Sequence, residues 1–484
     1  MDDLRVAVVG SGPAGIYAAA ALTAHDEAAV DVIDRLPTPF GLVRYGVAPD
    51  HEKMKSVAGA LRKVLEHERV RFLGNVELGA DVSLQDLHRH YDAILVANGS
   101  AVDRRLGIPG EDLPGSFSAT EFVSWYSGHP DAALDMFTLT AETVTVIGVG
   151  NVAVDVARVL LKTAAELRTT DIPDHVLAVL SHSQVRDVMI IGRRGPAQAK
   201  FTTKELRELG ELANADVIVR PEELVLGEAS EAEVARNAVA RRNLEVLRTW
   251  SGRTPEGRPR RLHLRFLLHP TAIRGDACVT GMEFARGRPD GAGGAAGSGE
   301  SVYLPADMVL RSVGYRGVQI PGLPFDDERG VIPNIAGRIL RDGAPVPGEY
   351  VAGWIKRGPS GIIGTNKHDA AETVRCILED APTLPRREVR DPDGIVQLLH
   401  QRGVRVVLWE GWEAIEALEI AAGRRRAAKQ VKVAERELLL AAALSQPSLR
   451  KLASGVWSML KSRQPGIIPP EKRLPVRCWS GAWT

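Results

Sequence analysis

Twice in this 484-residue chain a short β-branched run passes straight into a glycine-spaced turn and then into a helical stretch, and nothing else narrows the fold as much. The first case runs from Arg5 to Val9 (RVAVV) into Gly10-Ser-Gly12-Pro-Ala-Gly15 and the helical IYAAAALTAH. The second runs from Thr143 to Ile147 (TVTVI) into Gly148-Val149-Gly150-Asn151-Val152-Ala153, with a helix predicted from Val154 to Thr163. Runs of this composition suit parallel strands buried on both faces. In such a turn the first glycine makes the bend and the second lets the backbone approach a pyrophosphate. The third small residue lets helix and strand pack closely, and the phosphates sit on the helix N-terminus. The predicted class is α/β, with two Rossmann-like three-layer dinucleotide-binding domains.

Glycine turns also arise for steric reasons alone, so the residues beyond each turn carry the discrimination. A second apolar strand, Val30 to Ile33, ends on Asp34, where a carboxylate accepts hydrogen bonds from an adenosine ribose. A third apolar run, Tyr91 to Ser100 (YDAILVANGS), reads as sheet core of the same unit. After the second turn the order of charge reverses: VMIIG, Val188 to Gly192, leads into Arg193 and Arg194. Two guanidiniums favour a 2′-phosphate, because each planar fork gives bidentate, charge-assisted bonds that a carboxylate would replace with repulsion. The spacing departs from the usual pattern, since Arg193 lies some forty residues after the turn instead of about twenty. A looped-out segment from roughly Arg168 to Gln184 accounts for the excess.

Charge and cysteine content exclude other classes. Lys+Arg and Asp+Glu are both 61, so the total argues for neither nucleic acid nor an anionic membrane. The three cysteines, Cys278, Cys376 and Cys478, form no CxxC pair, which removes a disulfide framework, a thioredoxin-like redox pair and an all-cysteine iron–sulfur cluster. Redox chemistry then requires an organic cofactor, with no metal expected. No apolar run reaches the length of a membrane span, and a strand starting by Arg5 leaves no room for a presequence, so a cytoplasmic setting is expected. Two dinucleotide folds without a cysteine pair suit one tightly held flavin and one exchangeable nicotinamide, because a flavin accepts a hydride and releases electrons singly.

Four separated motifs add a family resemblance. Pro39 to His51 (PFGLVRYGVAPDH), Gly148 to Arg158 (GVGNVAVDVAR), Gly192 to Glu208 (GRRGPAQAKFTTKELRE) and Gly353 to Lys367 (GWIKRGPSGIIGTNK) resemble the adrenodoxin reductase family, which includes bacterial ferredoxin–NADP reductases. The resemblance covers about Arg5 to Leu440. It implies a discontinuous FAD domain with the NADP domain inserted: residues 1–102, then 103–320, then 321–444, with a basic extension over 445–484. FAD contacts carry over to Ala14, Asp34, Leu42, Leu78, Trp354, Gly361, Ile362 and Ile363. NADP contacts carry over to Val149, Gly150, Asn151, Val152, Arg193, Arg194, Glu205 and Gly361. His51, Asp155 and Glu208 are implied as polar groups near flavin and nicotinamide that relay protons, tuning a hydride step that needs no protein base. Trp354 lines the ring or the nicotinamide slot, or is a core tryptophan. The implied activity is electron transfer between NADPH and a ferredoxin-type iron–sulfur protein, supplying monooxygenases such as cytochromes P450.

Other readings remain. An NADPH oxidase or monooxygenase needs an oxygen-handling pocket that sequence does not exclude, and a non-enzymatic protein retaining both folds predicts a colourless preparation. An arginine-rich stretch, Arg236 to Arg265, is a candidate dock for an acidic ferredoxin or simply a solvated face. Gly291 to Gly299 (GAGGAAGSG) reads as a flexible loop between strands, and Arg390 to Leu440 as packing helices. From Ser445 onward seven Lys/Arg stand against one acid beside Trp457, Trp479 and Trp483, which suits a docking or membrane-surface element or an unordered extension.

Overall fold

In the computed structural model, which describes residues 4–25, 28–289 and 295–445, the two turn-bearing strands lie in two separate sheets. The first sheet has seven strands in the spatial order Asn334–Ile335, Arg338–Arg341, Ala344–Val351, Ala93–Val96, Leu4–Val9, Ala28–Asp34, Val70–Gly74. Its last five run parallel. Leu4–Val9 is buried throughout, as a β-branched run covered on both faces must be. Val6 and Val8 enter one core with Ile16 and Leu22, while Ala7 and Val9 enter the opposite core with Ile94 and Val96.

The second sheet has six parallel strands in the order Ser116–Ser118, Met308–Arg311, Thr143–Ile147, Asp187–Ile191, Arg260–Arg265, Ala215–Val219. The fold is α/β with two Rossmann-like units, the first built from sequence on both sides of the second. The chain crosses between them through one two-stranded ribbon: Val102–Asp103 on the way in pairs antiparallel with Tyr315–Arg316 on the way out. A three-stranded antiparallel sheet, Leu268–Arg274, Gly281–Pro289 and Ala295–Pro305, packs beside the second unit.

Strand order reverses in each sheet at the strand carrying the glycine turn, and in open α/β sheets ligands bind outside the strand ends at such a point. At the first switch Gly10 has φ +114, and a Cβ there would stand 2.5 Å from the Ala97 carbonyl at the end of the neighbouring strand. At the second, Gly148 has φ +131, and a Cβ would stand 2.1 Å from the Ser312 carbonyl. These two glycines are therefore required by the protein itself, before any ligand is considered.

Several boundaries differ from the sequence reading. The second turn's helix spans Asn151–Leu161, beginning directly after Gly150. The Arg168 to Gln184 segment is not a loose loop: it holds the helix Asp174–Ser181, anchored by buried Val176 and Leu180. Strand Ala295–Pro305 runs through most of the glycine-rich stretch expected to be a loop, and residues 290–294 lie outside the described residues. The predicted C-terminal helices form as Gly394–Gln401, Trp409–Arg424 and Arg436–Leu444. The segment before the last one is instead an extended strap held by bonds such as Val431 N–H to the Glu419 carbonyl. The basic extension after Ser445 lies outside the described residues. No described helix is long and apolar enough to cross a membrane.

Candidate active site

The first turn presents space as well as shape. Gly12 caps the Pro13–Thr23 helix, and a Cβ on Gly12 would meet nothing within 4 Å, so the protein leaves room where a pyrophosphate is expected. Asp34 ends its strand beside the turn, where its carboxylate accepts from Ser11 N at 2.8 Å, Ser11 Oγ at 2.5 Å and Leu36 N at 2.9 Å. Burial raises the Asp34 carboxyl above its ordinary value against these stabilising hydrogen bonds. The Pro39 to His51 segment folds over the turn: Phe40 N donates to the Ser11 carbonyl at 2.9 Å, and Phe40 itself is held at φ +81. From the other side, a Cβ on Gly353 would stand 2.6 Å from Ala14 Cβ. Residues far apart in sequence thus converge on the first glycine turn.

Other predicted flavin contacts differ in exposure. Leu42 and Ile362 are exposed, Ile363 is half-buried, and Leu78 is buried in the core with Val76 and Ile33. Trp354 is half-buried, donates its indole N–H to the Ser360 carbonyl at 3.2 Å and lies 5.5 Å from the Tyr315 ring on the crossing ribbon. It is therefore not a core tryptophan. Gly361 has φ +83, a bend that places the Ser360–Gly364 turn in front of the Thr365–Asp380 helix.

The second turn repeats this steric design with a different cover. A Cβ on Gly150 would also meet nothing within 4 Å. The Val149 carbonyl accepts from Lys200 N at 2.7 Å and Phe201 N at 3.1 Å, while Asn151 Oδ1 accepts from Thr202 N at 2.9 Å. Those bonds fold the GPAQAKFTT segment across the turn and bring Glu205 and Glu208, on the Thr203–Leu209 helix, toward the first unit. Arg193 is exposed and Arg194 half-buried, and neither side chain has a protein partner among the described residues.

Between the units lies a dense ionic cluster containing all three predicted proton-relay residues. His51 Nε2 is 2.8 Å from Glu208 Oε2 and 3.4 Å from Glu205 Oε2, and Nδ1 is 3.8 Å from Asp155 Oδ1. Sequence reading missed the cations that make the cluster tenable. Arg158, almost fully buried, contacts Asp50 at 2.8 Å, Asp155 at 2.8 Å, Glu208 at 3.4 Å and Glu205 at 3.6 Å, and Lys162 adds a 2.7 Å contact to Asp50. The i,i+3 relation of Asp155 and Arg158 on one helix was the available signal. Burial raises the Asp155 and Glu205 carboxyls above their ordinary values. Burial acts the same way on Asp50, but Arg158 and Lys162 outweigh it and hold that carboxyl well below its usual range.

Comparisons with known proteins identify the family. Residues 4–248 match the family described as pyridine nucleotide-disulphide oxidoreductase. NADPH-ferredoxin reductase FprA of Mycobacterium tuberculosis is 44% identical over 459 residues, covering 91% of this chain and 99% of that one. The mitochondrial NADPH:adrenodoxin oxidoreductase of Arabidopsis thaliana is 43% identical over 460 residues, covering 91% and 95%. The chain belongs to the adrenodoxin reductase family. A solved structure of Mycobacterium tuberculosis FprA in complex with NADPH superposes with a TM-score of 0.86 at 44% identity, covering 92% of this chain and 100% of that one. Membership in this family makes the two-sheet architecture that of an oxidoreductase.

The arginine-rich stretch narrows on inspection. Arg265 is buried against Glu223, Arg261 grips Asp187, Arg260 donates to the Leu160 and Lys162 carbonyls, and Arg258 binds Glu256. Arg236 pairs with Glu233, and Arg241 donates to the Val234 and Ala235 carbonyls. Arg242 and Arg248, on the exposed side of the Ala238–Ser251 helix, and Arg253 just beyond it keep their charges free of protein partners among the described residues.

Proposed function

We propose that this chain is an FAD-dependent oxidoreductase that accepts a hydride from NADPH and delivers electrons one at a time to a ferredoxin-type iron–sulfur protein. The observation that carries the reading is the pair of open glycine cradles at two switch points, one closed by a carboxylate and the other by two unpartnered arginines. Bound FAD supplies the conversion from a two-electron to a one-electron carrier. Gly10, Gly12, Ala14 and Gly15 hold its pyrophosphate, with Asp34 on the ribose. Leu42, Leu78, Trp354, Gly361, Ile362 and Ile363 border the rest of the nucleotide. Val149 to Val152 receive the pyrophosphate of NADPH, Arg193 and Arg194 grip its 2′-phosphate, and Glu205 and Gly361 border its nicotinamide end. His51, Glu208 and Asp155 hold and move protons beside these groups, and Arg158, 2.8 Å from Asp155 and 3.4 Å from Glu208, offsets part of the repulsion between the carboxyl groups gathered there.

The division at 102/103 and 320/321 falls within the incoming strand of the crossing ribbon and just beyond its outgoing one. A reducing cytoplasm suits a chain in which Cys278 and Cys376 form no disulfide with each other, and cytochromes P450 are suitable consumers of the reduced partner. The partner is an acidic iron–sulfur protein, and the exposed charges of Arg242, Arg248 and Arg253 form the dock. The test is the rate at which NADPH-reduced protein passes electrons to an acidic ferredoxin as ionic strength rises. It should fall steeply, while reduction of ferricyanide changes less, because screening removes long-range steering within a Debye length of about 10 Å at 0.1 M salt. Replacing Arg242 and Arg248 with Glu should reproduce the high-salt rate in low salt. A parental rate in that variant removes the dock from this helix.

A further inference from the structure

Arg357 closes the one-turn helix Trp354–Arg357 and holds more unsatisfied buried atoms than any other described side chain. Its Nη2 donates to Asn366 Oδ1 at 2.9 Å. Its Nε and Nη1 are buried with no hydrogen-bond partner, and no other described residue has two such atoms. The nearby carboxylates are committed elsewhere: Asp369 and Glu372 take Lys356, at 3.2 and 2.6 Å, and Asp369 also accepts from Gly353 N. A buried donor left unmade costs roughly 1–3 kcal/mol, and more when the group is charged. A fold that holds two of them on one guanidinium is holding them for an acceptor the polypeptide does not provide.

Position says which acceptor. Asn366, the partner of Arg357, lies at the start of the Thr365–Asp380 helix directly behind the Gly361 turn, and its Nδ2 donates to the Ile363 carbonyl at 3.2 Å. The same Asn366 Oδ1 is 3.9 Å from where a Cβ on Gly353 would stand, and that point is 2.6 Å from Ala14 Cβ in the first glycine turn. Arg357 therefore sits at the corner where the pyrophosphate turn meets the turn assigned to the flavin ring. The arginines proposed for the other nucleotide, Arg193 and Arg194, lie just past the end of a strand in the other sheet.

We propose that Arg357 is a flavin-positioning residue whose free Nε and Nη1 donate to an anionic group of the bound flavin nucleotide. That group is the pyrophosphate, or the N1–C2 carbonyl edge of the ring, which gains negative charge on accepting a hydride. The proposal rests on the reading of the first unit as an FAD site. Its geometry has a direct consequence: neutralising Arg357 weakens the hold on the nucleotide, or disfavours the reduced ring relative to the oxidised one.

The experiment purifies the parent, Arg357→Met, Arg357→Gln and Arg357→Lys, and measures three quantities on each. These are the FAD dissociation constant after deflavination, the flavin midpoint potential and the NADP+ dissociation constant. The Met and Gln variants should show FAD binding at least tenfold weaker if the acceptor is the pyrophosphate. If it is the ring edge, the potential should fall by the equivalent of tenfold in relative affinity, about 30 mV for a two-electron couple. Lys keeps the charge but not the fork, so it should recover part of whichever change is seen, with NADP+ affinity at the parental value. Parental FAD affinity and potential in whichever of the neutral variants folds overturns the proposal, as does a loss confined to NADP+. Should neither neutral variant fold, the Lys variant decides on the same two readings, parental values again overturning the assignment. A parent that binds no FAD overturns the cofactor reading instead, which separates the two failures.

Discussion

The two glycine turns are nearly superimposable in what they demand of the backbone and opposite in what they offer a ligand. Gly10 and Gly148 both adopt positive φ, and at both a side chain would strike the end of the neighbouring strand. Gly12 and Gly150 both face open space. The difference lies one strand further on, where Asp34 ends the strand beside the first turn and Arg193 with Arg194 follow the strand beside the second. In the proposed function the turn selects a dinucleotide, and the charge beyond the next strand selects which one.

The most damaging changes should be those that fill one cradle and leave the other. Gly12→Val should fold, since the protein leaves that space empty, yet emerge without FAD; circular dichroism and visible absorbance of the purified variant check both halves. Gly150→Val should stay yellow and lose its bleaching by NADPH. Retention of FAD by the first variant, or of normal NADPH reduction by the second, would break the equivalence of the two turns.

A smaller effect is expected between them, at the ionic cluster. His51→Gln removes a group 2.8 Å from Glu208 but leaves Arg158 in place, so flavin reduction by NADPH should remain within about a hundredfold of the parent in stopped flow. Complete loss in a folded, flavin-loaded variant would make His51 indispensable rather than tuning.

The smallest effect on activity is expected at the strap that ties the units together, where the change is read in stability instead. Lys432 is buried, contacting Asp171 at 3.3 Å and the Arg44 carbonyl, with Lys55, Tyr45 and Glu419 around it. Burial pulls its ammonium down to about 7 from 10.5. Below about pH 7 both folded and unfolded chains carry the proton, and the cost of the buried charge is present in full. From there to about 10.5 the unfolded chain binds more protons, so this group's contribution to stability rises with pH, by at most about 1.4 kcal/mol per unit. Denaturant titrations of Lys432→Met should lose that rise; an unchanged pH profile would show that Lys432 does not titrate in this window.

Legibility tracked the range of the interaction. Both turns were readable because their glycine spacing is local, and Arg193 with Arg194 because they come directly after an apolar strand. The Asp174–Ser181 helix went unread although Pro173 marks its start, because excess spacing alone looked like a loop. Asp50 meets Arg158 and Lys162 only when two units come together, so the i,i+3 pair Asp155 and Arg158 was the one local trace of that cluster, and the strap around Lys432 pairs residues hundreds of positions apart, which no local pattern announces. The arginine stretch was legible in part: its charges were visible, but the partners that absorb Arg260, Arg261 and Arg265 were not.

The central claim is that the second cradle takes the 2′-phosphorylated nucleotide and feeds the first, and rapid anaerobic mixing tests it most directly. The parent's yellow absorbance should bleach with NADPH at far lower concentration than with NADH. Arg193→Ala with Arg194→Ala should erase most of that preference, tens- to thousands-fold at about 1.5–3 kcal/mol per charge-assisted bond, while the rate at saturation stays near the parent's. An NADPH to NADH ratio of kcat/KM that is the same in parent and double variant would contradict the account.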